Sequence, residues 1–402
     1  MSAVSTQTPP DVWPTGESAA RTAAPRVCFV VESGTDVRMA EGLAEYFRLT
    51  LIAREIPGGV TISHPPSARF PIATGPASRM RFAWNVFREL LRRRRKCDFV
   101  LVQGYALAAL AANLFGRLTG TPVAMLVCSP VEAYYLCRRE HPDKKHPFQP
   151  VPLSILRGLA KLNAIVGKRY IVLSEYLRDV VRSHGTKAEV QIIPIYGIDT
   201  ELFRPPEISR HQLRHQLGLP RTGSILFFSS RVAPEKDSET LLTAFRTLLD
   251  SGRDLWLLHR SGGHKAFLKD AERFGVAHRV LASDAVHPGR DLHVSYQACD
   301  VCVQASREEG LGFSPLEALA CGVPVIATAV GGLRETIVDD QTGWTYPKGD
   351  AEYWALQIAD VLDRPDEAVR RTTAGRALVQ SRFERKAVFS ALAALVQRSF
   401  RK

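Results

Sequence analysis

The chain predicts an α/β protein of two doubly wound domains, and three observations carry that expectation. Short apolar runs alternate with helical stretches almost throughout, the pattern of parallel strands covered by helices on both faces. At 402 residues the chain can enclose two sizeable cores. Near the middle, residues 199–206 read Asp-Thr-Glu-Leu-Phe-Arg-Pro-Pro, and this Pro-rich stretch suits a linker.

Taken in order, residues 1–25 are rich in Pro, Ser, Thr and Ala, and we expect a disordered tail there. The segment lacks the basic start and apolar centre of a secretory signal. Residues 27–32, 99–103, 122–127, 170–174 and 191–194 read as strands of a first domain, 26–203. Residues 225–228, 255–259, 278–282, 300–305, 323–328 and 343–346 read as strands of a second, 204–383. Residues 105–115 form the longest apolar stretch. It is too short to span a bilayer and reads as a buried helix.

The charge is +12 and uneven. Residues 1–205 hold 27 Lys and Arg against 17 Asp and Glu, a net of +10, and the remainder holds 26 against 24. The excess centres on residues 78–96, where Met80, Ala83, Trp84, Phe87, Leu90 and Leu91 recur at helical spacing among arginines. Such a basic amphipathic helix either lies on an anionic membrane surface or covers the sheet with a solvated basic end. Arg138-Arg139 and Lys144-Lys145 add to the membrane reading. The seven cysteines have no regular spacing. Cys299-x-x-Cys302 lacks a second ligand pair, so core cysteines are expected rather than a metal site. His211 and His215 lack the Glu of a zinc-protease helix and read as surface residues. Cytoplasmic residence fits this cysteine usage.

Residues 309–317, Glu-Gly-Leu-Gly-Phe-Ser-Pro-Leu-Glu, carry the most chemistry. Ser314 is a good N-cap and Pro315 a good first residue for a helix over 315–321. Glu309 then precedes the helix and Glu317 sits in its first turn. Free amides at a positive helix end suit a phosphate, and flanking carboxylates suit sugar hydroxyls. Ser314-x-x-Glu317 is equally a capping box, in which Glu317 only closes the helix. Upstream, an apolar strand ends at Ser229-Ser230, and Arg231 and Lys236 follow. Two cations at a strand's carboxyl tip suit a diphosphate. They are equally read as solvated loop charges.

These segments resemble the family 4 retaining glycosyltransferases. Arg231-Val-Ala-Pro-Glu-Lys236, the pair Glu309 and Glu317, and Ala-Cys-Gly-Val-Pro-Val-Ile-Ala-Thr at 320–328 carry the likeness. Residues 170–177, 193–203 and 300–306 extend it. The resemblance implies the GT-B fold, two Rossmann-like domains facing across a cleft, with the last helix, about 384–400, crossing back onto the first domain. It implies a nucleotide-sugar donor, a hydroxyl acceptor and no required metal or cofactor. Arg231 and Lys236 would bind the donor diphosphate and Glu309 the donor sugar. The amides of Gly310, Leu311, Gly312 and Phe313 would hold sugar and β-phosphate, and Glu317 the ribose.

Departures from the family pattern are specific. Ser230 stands where Gly often precedes the arginine. Pro194-Ile-Tyr196-Gly197 lacks the usual Asn. Cys128 replaces a histidine, which puts that residue's acceptor-side role in doubt. The loop after the first strand is reduced to Glu32-Ser33-Gly34-Thr35-Asp36. Gly34 either lets backbone approach the donor or makes a plain turn. The competing readings are a non-enzymatic polyanion binder and a glycosyltransferase for a soluble small molecule. The chain carries no nucleic-acid motif, so nucleic acid is not expected as a partner.

Overall fold

A computed structural model describes residues 24–400, apart from 57–58, 63–65, 67–69, 141–151, 285 and 288. Most of the expected tail and the pair Lys144-Lys145 lie outside the described residues.

The first sheet contains β1 (Arg26–Val31), β2 (Arg48–Ile56), β3 (Gly59–Val60), β4 (Ile72–Gly75), β5 (Phe99–Gln103), β6 (Val123–Val127), β7 (Arg169–Val172) and β8 (Glu189–Ile192). Its order is β3-β2-β1-β5-β6-β7-β8, with β4 also on β2. Every pairing is parallel except the short β2–β3 contact. The central strands are buried on both faces, which is why they read as continuous apolar runs. Strand β2 escaped the sequence reading. Its Arg48, Arg54 and Glu55 break the apolar run, because it lies towards the sheet margin and its ends meet solvent. The helices are α1 (Val37–Tyr46), α2 (Arg79–Arg92), α3 (Leu107–Thr119), α4 (Val131–Arg139), α5 (Leu153–Val166) and α6 (Glu175–Ser183).

The second sheet holds β9 (Ser224–Phe228), β10 (Leu255–Arg260), β11 (Val280–Ser283), β12 (Val301–Gln304), β13 (Val325–Thr328) and β14 (Trp344–Tyr346). It is parallel throughout, in the order β11-β10-β9-β12-β13-β14. Its helices are α7 (Arg210–Gln216), α8 (Ser238–Asp250), α9 (His264–Arg273), α10 (Leu292–Gln297), α11 (Phe313–Ala320), α12 (Leu333–Thr336), α13 (Ala351–Asp363) and α14 (Pro365–Arg382), and α15 (Arg385–Arg398) ends the series in the chain. In each sheet the strand order reverses beside the first strand, between β1 and β5 and between β9 and β12. Ligands of doubly wound sheets settle outside the carboxyl ends at such points. The loops that leave β1, β9 and β12 therefore define the region between the two domains.

After α14 the chain returns to the first domain. The Ile198 amide donates to the Phe383 carbonyl at 2.7 Å and the Arg385 amide to the Ile198 carbonyl at 3.0 Å. Helix α15 then lies on α1 so closely that a Cβ on Gly42 would stand 2.1 Å from the Phe389 ring.

Helix α2 has two apolar faces. Phe82, Val86 and Leu90 are buried against the domain. Met80 is 77% exposed and Trp84 67% exposed, with Leu91 beside them. The single stripe expected from the sequence is thus divided: Leu90 docks, while Met80, Trp84 and Leu91 face outward. Helix α3 behaves similarly. Ala108, Ala109, Ala112 and Phe115 are buried, but Leu114 and Leu118 are exposed. It is not wholly enclosed as its apolar sequence suggested.

The Gly42 contact gives a first test. Gly42→Val overpacks the α1–α15 seam and should cost about 1–3 kcal/mol. The expected outcome is a lower Tm and faster proteolysis within α15. Unchanged protection of α15 would show that this seam does not hold it.

Candidate functional site

Glu317 occupies a different local position from that expected. Helix α11 begins at Phe313, with Gly312 as its N-cap, and Ser314 makes no cap. Gly312 has φ +94°, a conformation glycine adopts without a Cβ penalty. The turn therefore closes two residues earlier than a Ser314 cap requires. Glu317 lies beyond the first turn and cannot complete a capping box.

Its carboxylate is spent on tertiary contacts instead. Glu317 is 2% exposed. Oε2 accepts from the Tyr296 hydroxyl at 2.7 Å. Oε1 accepts from Nη1 of Arg38 at 2.5 Å, across the domain boundary. Arg38 stands in the first turn of α1, and Asp36 grips it through Nε and Nη2 at 3.1 and 2.8 Å. Neither Arg38 nor Tyr296 was singled out in the sequence. Arg38 follows the loop after β1, at the carboxyl edge where ligands collect, and that position was the signal available.

Lys236 forms an ion pair with Glu309, both side chains being largely buried. Glu309 also contacts the Tyr134 hydroxyl at 3.4 Å and its own neighbour, the Gly310 amide, at 3.2 Å. Ser230, where glycine is usual, donates to Gln304 Oε1 at 2.9 Å, and Gln304 reaches Glu309 at 3.5 Å. The serine thus belongs to the network that orients Glu309.

Arg231 remains 60% exposed and stands 3.4 Å from Glu235. Glu235, overlooked in the sequence, has no exposed side-chain surface and receives Arg138 from α4 at 2.5 and 3.1 Å. Burial pushes its carboxyl upward, but hydrogen bonding and attraction from Arg138 outweigh this and hold it below the ordinary carboxylate value.

The segment Gly310, Leu311, Gly312 and Phe313 is seated between the domains. Ser174 donates to the Gly310 carbonyl at 2.6 Å. The backbone at Cys128 passes so close that a Cβ on Gly310 would stand 2.5 Å from the Cys128 carbonyl. Beneath the turn, the Gly332 amide donates to the Glu309 carbonyl at 3.0 Å. A Cβ on Gly331 would meet the same carbonyl at 2.1 Å. The Gly331-Gly332 pair after β13 therefore makes room for the turn. Tyr196 packs edge-on against Phe313, with ring centroids 4.8 Å apart. Its φ of +105° is costly for a bulky residue. Burial pushes the Cys128 thiol up to about 12, so at neutral pH it is a thiol and a poor nucleophile. Gly34 has φ +124°, and its carbonyl accepts from Gln103 Nε2 at 3.1 Å.

Residues 209–378 match the family model described as glycosyl transferases group 1. The D-inositol 3-phosphate glycosyltransferase of Xylanimonas cellulosilytica is 34% identical over 221 residues, 52% of this chain and 51% of that protein. The GDP-mannose-dependent alpha-(1-6)-phosphatidylinositol monomannoside mannosyltransferase of Mycolicibacterium smegmatis is 31% identical over 214 residues, 51% of this chain and 55% of that protein. The chain spans about half the length of the curated relatives it matches. Among solved structures, Anabaena HepE in complex with UDP-glucose superposes with a TM-score of 0.73 at 16% identity, covering 93% of this chain and 99% of that one. Sucrose-phosphate synthase from Thermosynechococcus elongatus gives 0.73 at 20% identity, covering 94% and 99%. The chain has the GT-B fold. In GT-B terms, Arg231, Lys236, Glu309 and Glu317 belong to the second domain, and Arg38, Tyr134, Arg138, Ser174 and Tyr196 approach them from the first.

Glu235 supplies a pH test. Its folded value is depressed, so its contribution is complete above the unfolded carboxylate value of about 4.3 and is lost as pH falls through the folded value. Wild-type Tm should drop below about pH 4.3. Glu235→Gln should lose about 1–3 kcal/mol at neutral pH, because the neutral amide keeps a hydrogen bond to Arg138 but loses the charge that attracts Arg138 and Arg231. It should also show a weaker acid dependence. An equally steep acid limb in the variant would place the titration elsewhere.

Proposed function

We propose that the chain is a family 4 retaining glycosyltransferase that moves a sugar from a nucleotide-sugar donor to a hydroxyl acceptor. The observation that carries this reading is the Lys236–Glu309 pair beside the Gly310–Phe313 turn, at the carboxyl edge of the second sheet and facing the first domain. The UDP-glucose bound by HepE and the names of the relatives support a sugar donor.

In this reading the acceptor oxygen bonds the anomeric carbon as the carbon's bond to the diphosphate oxygen breaks, negative charge grows on the leaving nucleoside diphosphate, and the hydroxyl's proton passes to it. Arg231 and Lys236 neutralise that charge, and the amides of the turn hold sugar and β-phosphate. Glu309 takes a donor-sugar hydroxyl. Glu317 takes the ribose. Lys236 is already oriented by Glu309, so little reorganisation remains when the donor arrives. Protein cations serve the diphosphate, and no divalent ion or other cofactor is required.

For the acceptor we propose a lipid-linked or membrane-proximal hydroxyl, presented at an anionic membrane face on the cytoplasmic side. Helices α2, α3 and α5 bear Met80, Trp84, Leu91, Leu118 and Ile165 as exposed apolar side chains. Arg81, Arg88, Arg92, Arg94 and Arg95 are exposed on and just beyond α2. Apolar side chains beside arginines match the boundary of an anionic bilayer, where each basic residue contributes about 1 kcal/mol. Among the described residues no helix is long and apolar enough to cross a membrane, so contact would be peripheral.

Two measurements test these assignments. Arg231→Ala and Lys236→Ala should each slow transfer by about 100-fold, and transfer should survive chelator with the donor's anomeric configuration kept. An inverted product, or activity restored only by added magnesium, would contradict the mechanism. In liposome flotation the wild type should bind anionic vesicles at low salt and release at high salt. Trp84→Ser with Arg92, Arg94 and Arg95 changed to Ser should stay unbound. Equal, poor flotation with neutral and anionic lipid would favour a soluble acceptor.

A further inference from the structure

The acids of the candidate donor site are already engaged. Glu309 holds Lys236, Glu235 holds Arg138, and Glu317 holds Arg38. The second and third pairs join the two domains. The third also has a conflict with substrate. Both oxygens of Glu317 have partners, Arg38 on Oε1 and Tyr296 on Oε2. Tyr296 is fully buried within the second domain, so its contact persists whatever the first domain does. Arg38 is the partner that comes from the other domain. Its side chain is 14% exposed and borders a cavity of about 330 Å³, which Glu41, Gly197, Phe203, Gly289 and Arg385 also line. The guanidinium therefore has somewhere to go. Asp36 can keep it charged and partnered after it leaves.

We propose that Arg38 is an interdomain latch that competes with the donor's ribose for Glu317. The inference rests on the assignment of Glu317 to the ribose. In the absence of donor, Arg38 holds the two domains together by taking the carboxylate that the nucleotide needs. The ribose hydroxyls displace Arg38 from Oε1, and the latch opens towards the adjoining cavity. Donor affinity is accordingly reduced by the stability of the latch, since only the unlatched fraction binds.

The test is calorimetric titration of UDP, GDP and ADP into wild type, Arg38→Ala and Arg38→Gln. For the nucleotide that binds, both variants should bind about fivefold tighter or more, the scale of a coupling of this kind. The matching 2′,3′-dideoxynucleoside diphosphate cannot occupy Glu317, so it should show no gain. Unchanged or weaker binding of the ribonucleotide, or an equal gain with the dideoxy analogue, overturns the latch while leaving the nucleotide site in place. If none of the three nucleotides binds any form, the nucleotide reading itself fails, and the latch fails with it. Hydrogen exchange on the wild type gives a readout that needs no variant. Saturating ribonucleotide should speed exchange at residues 36–40, and slower exchange there would contradict the proposal.

Discussion

Glu235 imposes the constraint on which the arrangement of this molecule turns. A carboxylate with no exposed surface cannot stay charged unless cations reach it. One comes from its own domain, Arg231, and the better placed one comes from the other, Arg138. The second domain is thus complete only when α4 of the first lies against it. The same logic recurs at Glu317, where Arg38 crosses the boundary. It recurs again at Glu335, whose carboxylate accepts from the Glu175 and Tyr176 amides at the start of α6, at 2.9 and 2.8 Å. Carboxylates of the second domain meet arginines and a helix N-terminus of the first. The seam is polar and hydrogen-bonded, and such seams can open at modest cost compared with apolar ones.

This polarity connects stability to function. A transferase of the kind proposed must admit a charged donor and then exclude water from it. Acids and bases that neutralise one another while the cleft is empty can exchange partners with a phosphate or a hydroxyl when it fills. Lys236 is an example. Glu309 holds it in place, and both groups face the turn from Gly310 to Phe313. The turn itself depends on glycine at several positions, because the Glu309 carbonyl, the Cys128 carbonyl and the Leu333 side chain leave no space for a Cβ.

Two departures from the resembled family become neighbours in space. Cys128 and Tyr196 stand far apart in the chain, yet the Cys128 carbonyl borders Gly310 and the Tyr196 ring borders Phe313. Both therefore line the first-domain wall of the same turn. A histidine would have offered a titratable nitrogen there. A half-buried thiol, held protonated, and a tyrosine hydroxyl offer no group that changes charge near neutrality, so that wall contributes shape and hydrogen bonding.

The order of apolar runs determined the two parallel sheets, because a strand buried on both faces must be apolar over its whole length. The chemistry of residues 224–242 and 309–328 likewise placed cations, carboxylates and a glycine-rich turn at strand ends. Marginal strands such as β2 were hidden, since solvent at their ends permits charges that break the run. The role of Glu317 was also hidden. Its spacing from Ser314 satisfies a capping box, and local sequence contains nothing to tell a cap from a tertiary partner. That choice was decided by Gly312, which starts the helix early, and by Arg38, which lies 279 residues away in the chain. The two faces of α2 were likewise decided by packing, because an amphipathic pattern records which side chains are apolar and not which of them a neighbouring helix will cover. Pairings between distant charges depend on how two domains meet, and only the tertiary structure sets that.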